Sequence, residues 1–77
     1  MKIHAGKTYI CENGYIVRLR KNSLPHYKFS VAGYVATDAE GFTVDCHEKW
    51  TEDGIAYHDD CGYNIVGEYK FEDSDTD

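Results

Sequence analysis

The stretch "KTYICENGYIVRLR", Lys7 to Arg20, sets Asn13-Gly14 between two runs rich in β-branched and aromatic residues. Asn-Gly flanked in this way is the strongest short-range hairpin signal, because a two-residue turn of the favoured hand needs positive φ at both positions. The reading pairs Lys7–Cys11 with Tyr15–Arg20. Side chains alternate across a strand, so Tyr15, Val17 and Leu19 share one face, while Ile16, Arg18 and Arg20 share the other. The two arginines therefore project together into solvent.

Downstream, "KNSLPH" is a loop holding the only proline. "YKFSVAGYVA" then sends Tyr27, Phe29 and Val31 one way and Lys28 and Ser30 the other, until Gly33 interrupts the pattern. A glycine inside a strand pattern marks a bulge or bend, a device for curling a sheet. "DAEG" (38–41) is a turn. "FTVDCHEKW" alternates again, with Phe42, Val44 and Cys46 against Thr43, Asp45 and His47. "TEDG" is the next turn, with Asp53-Gly54 supplying positive φ; "IAY" is a short strand, "HDDCG" a loop and "YNIVGEYKF" the last strand. A single helical turn fits within residues 59–64, and no segment carries apolar residues at sustained helical spacing.

The fold class that follows is all-β: five to six short strands in a small, strongly bent antiparallel sheet or an SH3-like barrel, with a disordered acidic C-terminal tail. Residues 1–71 make one small β domain and 72–77 the tail. The expected core contains Tyr27, Phe29, Val31, Val44, Ile65 and Trp50. At 77 residues, with seven Tyr, three Phe and one Trp, the chain builds its core from few but large side chains.

The net charge of −6 conceals an asymmetry. Residues 1–38 hold six basic and two acidic side chains, a balance of +4; residues 39–77 hold twelve acids against Lys49 and Lys70, a balance of −10. Such polarity points to an electrostatic partner. No apolar stretch is long enough to span a membrane, and the start of the chain lacks the hydrophobic run of a signal peptide, so the expected location is the cytoplasm. Cys11, Cys46 and Cys61 are then expected as reduced thiols.

The acid-rich segment "WTEDGIAYHDDC" raises metal and catalytic chemistry. Structural zinc takes four ligands, usually as two close pairs, and His58-x2-Cys61 is the only pair with suitable spacing; Cys46 and His47 are consecutive on a strand and face opposite ways. The carboxylates Asp53, Asp59 and Asp60 do not follow the alternating oxygen pattern of a calcium loop. No signature of an activated nucleophile surrounds the thiols or the four histidines, and so small a domain offers little pocket. The expectation is no metal, no cofactor and no enzymatic activity. Two binding functions remain. An acidic face made of Asp45, Glu48, Glu52, Asp53, Asp59, Asp60 and Glu68 suits capture of a basic surface on another protein. Alternatively, Arg18, Arg20, Lys21 and Lys28, with Tyr9, Tyr15 and Tyr27, suit a single-stranded nucleic acid, although the acidic half opposes phosphate at long range. The protein partner is the leading reading.

Taken together, "GKTYICENGYIVRL", "WTEDG" and "NIVGEY" resemble a group of small accessory proteins encoded by tailed phages and prophages. The matching positions are Gly6, Lys7, Tyr9, Gly14, Trp50, Asp53, Gly54, Ile65, Val66 and Glu68, spanning residues 6–69. The resemblance implies a small β domain in a phage context, with Trp50 as a core anchor and no catalytic residues to carry over. It also implies a role in that setting: an inhibitor of a host defence or nucleic-acid-handling protein, or a structural or accessory part.

Overall fold

The computed structural model describes residues 2–22 and 28–69. Tyr27 and the expected tail at 72–77 lie outside them, as do the side chains of Lys21 and Asp59. Five strands form one antiparallel sheet: β1 Thr8–Cys11, β2 Ile16–Asn22, β3 Val31–Thr37, β4 Thr43–Trp50 and β5 Ile65–Glu68. Strands β1 to β4 meander, and β5 returns to pair with β1, giving the order β4-β3-β2-β1-β5. The sheet is open: no ladder joins β4 to β5 among the described residues. A 3-10 turn at Asp59–Cys61 precedes β5. The expected "IAY" strand reduces to one bridge, Trp50 with Ala56, extended by the Tyr57 N–H donating to the Lys49 carbonyl at 2.9 Å.

Three of the connections share one build. In Cys11–Tyr15, Asp38–Phe42 and Thr51–Ile55, the first residue's N–H donates to the fifth residue's carbonyl at 2.8–2.9 Å, and the fourth residue's N–H donates back to the first carbonyl at 2.9–3.1 Å. The fourth residue is Gly14, Gly41 or Gly54, with φ of 87°, 93° and 92°. This corrects the expected two-residue turns. Asn13 and Asp53 do not adopt positive φ; each loop has three residues, and only the closing glycine enters the left-handed region. Asn13 uses its side chain instead. Its Oδ1 accepts from the Tyr15 N–H at 3.0 Å and its Nδ2 donates to the Cys61 carbonyl at 3.0 Å.

Among the described residues the sheet has four register shifts, and two of them are marked by special backbone. The β2–β3 register shifts between Leu19 and Lys21, so Arg20 is the extra residue opposite Gly33 and Ala32. At that point β2 passes so close that a Cβ on Gly33 would lie 2.3 Å from the Arg18 carbonyl oxygen. The bend expected at Gly33 is thus observed, and its cause is the absence of a side chain. In β4 the register shifts between Val35 and Thr37, where Asp45 takes φ of 57°. Asp tolerates that conformation better than most residues with a Cβ. This bulge and the hairpin tip explain why Phe42, expected inward, is 71% exposed: it closes the Asp38–Phe42 loop.

The core lies on one side of the sheet and comprises Ile3, Tyr9, Cys11, Val17, Leu19, Val31, Val35, Trp50, Ala56 and Ile65. Val31, Trp50 and Ile65 were expected there; Val44 is only partly buried against this cluster. Phe29 is half-buried and stands outside it, because β3 begins at Val31 and the preceding residues bend away. Trp50 is fully buried, and its indole N–H donates to the Tyr63 carbonyl at 2.9 Å, tying β4 to the segment before β5.

Burial pushes the Cys11 thiol up from 9.0 to about 12, helped by the Glu12 and Glu48 carboxylates. Below pH 9 the folded and unfolded chains both hold this proton. Above it only the unfolded chain releases the proton, so stability falls as pH rises, by roughly 1 kcal/mol per pH unit, towards the folded value. Tyr63, raised by desolvation, acts in the same direction. Urea midpoints measured at about pH 8 and about pH 10.5 should drop steeply for the wild type. Cys11→Ala should be weaker at neutral pH, yet flatter across this range; an unchanged slope contradicts the assignment.

Candidate functional site

The fold gathers charge in two places. The first is the end of the sheet where the β1–β2 and β3–β4 loops lie side by side, with Ala39 Cβ 3.1 Å from where a Cβ on Gly14 would sit. The 3-10 turn joins them: the Asn13 N–H donates to the Gly62 carbonyl at 3.1 Å, and the Glu12 N–H to the Asn64 carbonyl at 2.9 Å. Three segments distant in sequence thereby present Glu12, Glu40 and Asp60 in solvent, with Asp45 exposed nearby at its bulge. Asp38 turns inward, its Oδ1 accepting from the Glu40 and Phe42 N–H groups at 2.9 Å.

The expected acidic face is only partly assembled. Asp45 and Asp60 belong to this end, whereas Glu52 and Asp53 lie on the Thr51–Ile55 loop and Glu68 on β5. Lys2 stands 3.6 Å from Glu52, and Lys7 stands 3.7 Å from Glu68. Glu48 is a correction, being a buried carboxylate whose side chain is 2% exposed. Its Oε2 accepts from the His58 backbone N–H at 2.8 Å, and its Oε1 lies 2.7 Å from His58 Nδ1. Glu48 shares the inward parity of Val31 and Val35, opposite Gly33, and pairing with His58 is what permits its burial. Glu12 and Glu40 were missed, although each occupies a Gly-closed turn, where a side chain is held at the surface.

The second place is the outer face of the sheet. Cross-strand pairing aligns Thr8, Arg18, Tyr34 and His47 in one row across β1 to β4. The Arg20 guanidinium lies 5.2 Å from the Tyr34 ring centre. Further along β4, Lys49 Nζ is 4.8 Å from the centre of the Tyr57 ring, which Phe29 meets edge-on at 5.3 Å; Lys28 Nζ lies 5.5 Å from the Phe29 ring. A shallow cleft of about 340 Å³ opens here, walled by His47, Lys49, Tyr57 and His58 over Ala32 and Gly33. Arg18, Arg20 and Lys28 were expected to act together, and the structure places all three exposed. Strand alternation sets His47 outward with Thr43 and Asp45, as observed, but Lys49, Tyr34 and Tyr57 were not anticipated. Tyr34 and Lys49 could have been found from strand parity once Val31 and Trp50 were fixed as inward, whereas Tyr57 depends on the Ala56 bridge.

Among the described residues no group of three or more His, Cys, Asp or Glu side chains could hold a metal ion, and all three cysteines are free. His58 turns its Nδ1 to Glu48. The exposed Cys61 thiol is raised by desolvation and by the adjacent Asp60 carboxylate. No helix is long and apolar enough to cross a membrane among the described residues. The chain matches no protein-family model, no curated protein and no solved structure.

Proposed function

We propose that this chain is a small, non-catalytic protein-binding module that receives a basic surface of its partner on the acidic end of the sheet. The observation that carries the reading is a contrast among the acids. Glu52, Glu68 and Glu48 have Lys2, Lys7 and His58 beside them. Among the described residues, no basic side chain stands within ion-pair distance of Glu12, Glu40, Asp45 or Asp60. Like charges held together without counter-charges cost stability, and a cationic partner relieves that cost. The loops that hold them are fixed by backbone hydrogen bonds and the two bonds of the Asn13 side chain, so little ordering is needed on binding.

One feature supports a non-catalytic role: the thiols Cys11 and Cys61 are shifted towards the protonated form, opposite to what a nucleophile requires. In the phage setting that the sequence resemblance implies, the partner is a host cytoplasmic protein whose basic surface handles nucleic acid, and occupying that surface inhibits it.

The test is affinity capture from nuclease-treated bacterial lysate on the wild type and on the triple variant Glu12→Lys, Glu40→Lys, Asp60→Lys. The wild type should retain one dominant basic protein near one-to-one at low salt and release it at about 0.5 M salt, where the Debye length falls to a few Å. The triple variant should lose it. Equal retention by the triple variant overturns the proposal.

A further inference from the structure

We infer that the outer face of β2–β4 is a second binding surface, and that its ligand is a single-stranded nucleic acid. It is independent of the acidic end and of the partner proposed for it. The argument starts from a repeated unit: a cation beside an aromatic ring. Arg20 lies by Tyr34, Lys49 by Tyr57 and Lys28 by Phe29, at 5.2, 4.8 and 5.5 Å from the ring centres. A single strand alternates phosphate with base, and each unit offers a charge for the one and a ring for the other.

Spacing and exposure agree with this. Tyr34 on β3 faces His47 on β4, with Lys49 two residues further along, roughly 7 Å for a strand. Tyr57 is 49% exposed although Lys49, Phe29 and His58 sit against its ring, and the part of the ring left open beside the cleft can take a stacked base. The cleft of about 340 Å³ between Tyr57 and the β4 side chains is of the size that takes a single flat heterocycle.

Electrostatics decides whether a chain with net charge −6 can do this. The exposed acids Glu12, Glu40 and Asp60 are held on the loops at one end of the sheet and Asp45 at the β4 bulge beside them, whereas Arg18, Arg20 and Lys49 lie farther along β2 and β4. Within a Debye length of about 8 Å the local face, rather than the net charge, sets the potential. Among the described residues, the one carboxylate that borders the cleft, Glu48, is turned inward and held by His58. An acidic peptide would satisfy the cations but would leave the rings unused, so the aromatic content favours bases.

The experiment is fluorescence anisotropy of the full chain with labelled oligothymidylate of about 15 nucleotides, at about 50 mM and about 200 mM salt. Saturable binding that weakens with salt is expected. Tyr57→Ala should weaken it about tenfold, and Tyr57→Phe should leave it nearly unchanged, since stacking needs the ring and not the hydroxyl. Paired Arg20→Ala and Lys49→Ala changes should weaken it and flatten the salt dependence. Circular dichroism establishes that each variant is folded, and Tyr57→Phe separates loss of stacking from any structural disturbance. Glu12→Gln with Glu40→Gln should bind the oligonucleotide at least as well as wild type. Absence of binding at low salt, indifference to Tyr57→Ala, or equally effective competition by poly-glutamate would each overturn the inference.

Discussion

Gly33→Ala should leave most of the chain unfolded at room temperature. The new methyl would lie 2.3 Å from the Arg18 carbonyl oxygen and 2.9 Å from the Leu19 Cα, and both are backbone atoms that no rotamer change can move. The φ of Gly33 is not in the left-handed region, so the cost is purely steric. Relief requires pulling β3 away from β2 at the bulge that bends the sheet, which disturbs the ladder on both sides. Overpacking of a core costs roughly 1–3 kcal/mol, and a backbone collision exceeds that range. A domain this small holds only about 5 kcal/mol in total, so the loss is comparable with its whole stability. Gly41→Ala is the control. Its Cβ would meet nothing within 4 Å, but its φ is 93°, so it suffers conformational strain alone, about 1 kcal/mol. Thermal unfolding followed by circular dichroism should show a much larger loss for Gly33→Ala than for Gly41→Ala. Equal shifts would contradict the close approach of β2 to β3.

Trp50→Ala should cost roughly 3–5 kcal/mol, as removal of a large buried aromatic does. Trp50 is 0% exposed, packs at the centre of the core and donates its indole hydrogen to the Tyr63 carbonyl. Losing it opens a cavity and orphans a carbonyl at the point where the chain leaves β4 for β5. Trp50→Phe fills most of the volume but still strips the Tyr63 carbonyl of its donor, so it should cost less, about 1–3 kcal/mol. Urea unfolding gives the ranking: wild type, then Trp50→Phe, then Trp50→Ala. A Phe variant as stable as wild type would show that the indole hydrogen bond contributes nothing.

Much of this architecture is legible from residue order. The positions of Gly14, Gly41 and Gly54 mark three loops, and alternation in "YIVRLR" separates Val17 and Leu19 from Arg18 and Arg20, as observed. Loop type was less legible. Asn13-Gly14 suggests a two-residue turn, but the Asn13 side chain finds partners in Tyr15 and in Cys61, 48 positions away, and a three-residue loop results. Burial of Ile3 and Glu48 was hidden for a related reason. Ile3 is fixed by its N–H to the Glu52 carbonyl; strand parity turns Glu48 inward with Trp50, but the His58 partner that permits its burial, like the Glu52 contact, depends on how the 51–58 segment folds back, which local pattern does not encode. The acidic end shows the same limit: Glu12, Glu40 and Asp60 belong to three segments that only the completed sheet brings together.

The central claim is that this end meets the partner. It is tested most directly by amide chemical-shift mapping: ¹⁵N-labelled chain titrated with the protein that affinity capture identifies. The account predicts perturbed amides in the Glu12–Gly14, Asp38–Gly41 and Asp60–Gly62 segments, fading as salt is raised, with the β2–β4 outer face unaffected. Perturbations confined to Arg18, Tyr34, His47 and Tyr57, with the three loops silent, would contradict it.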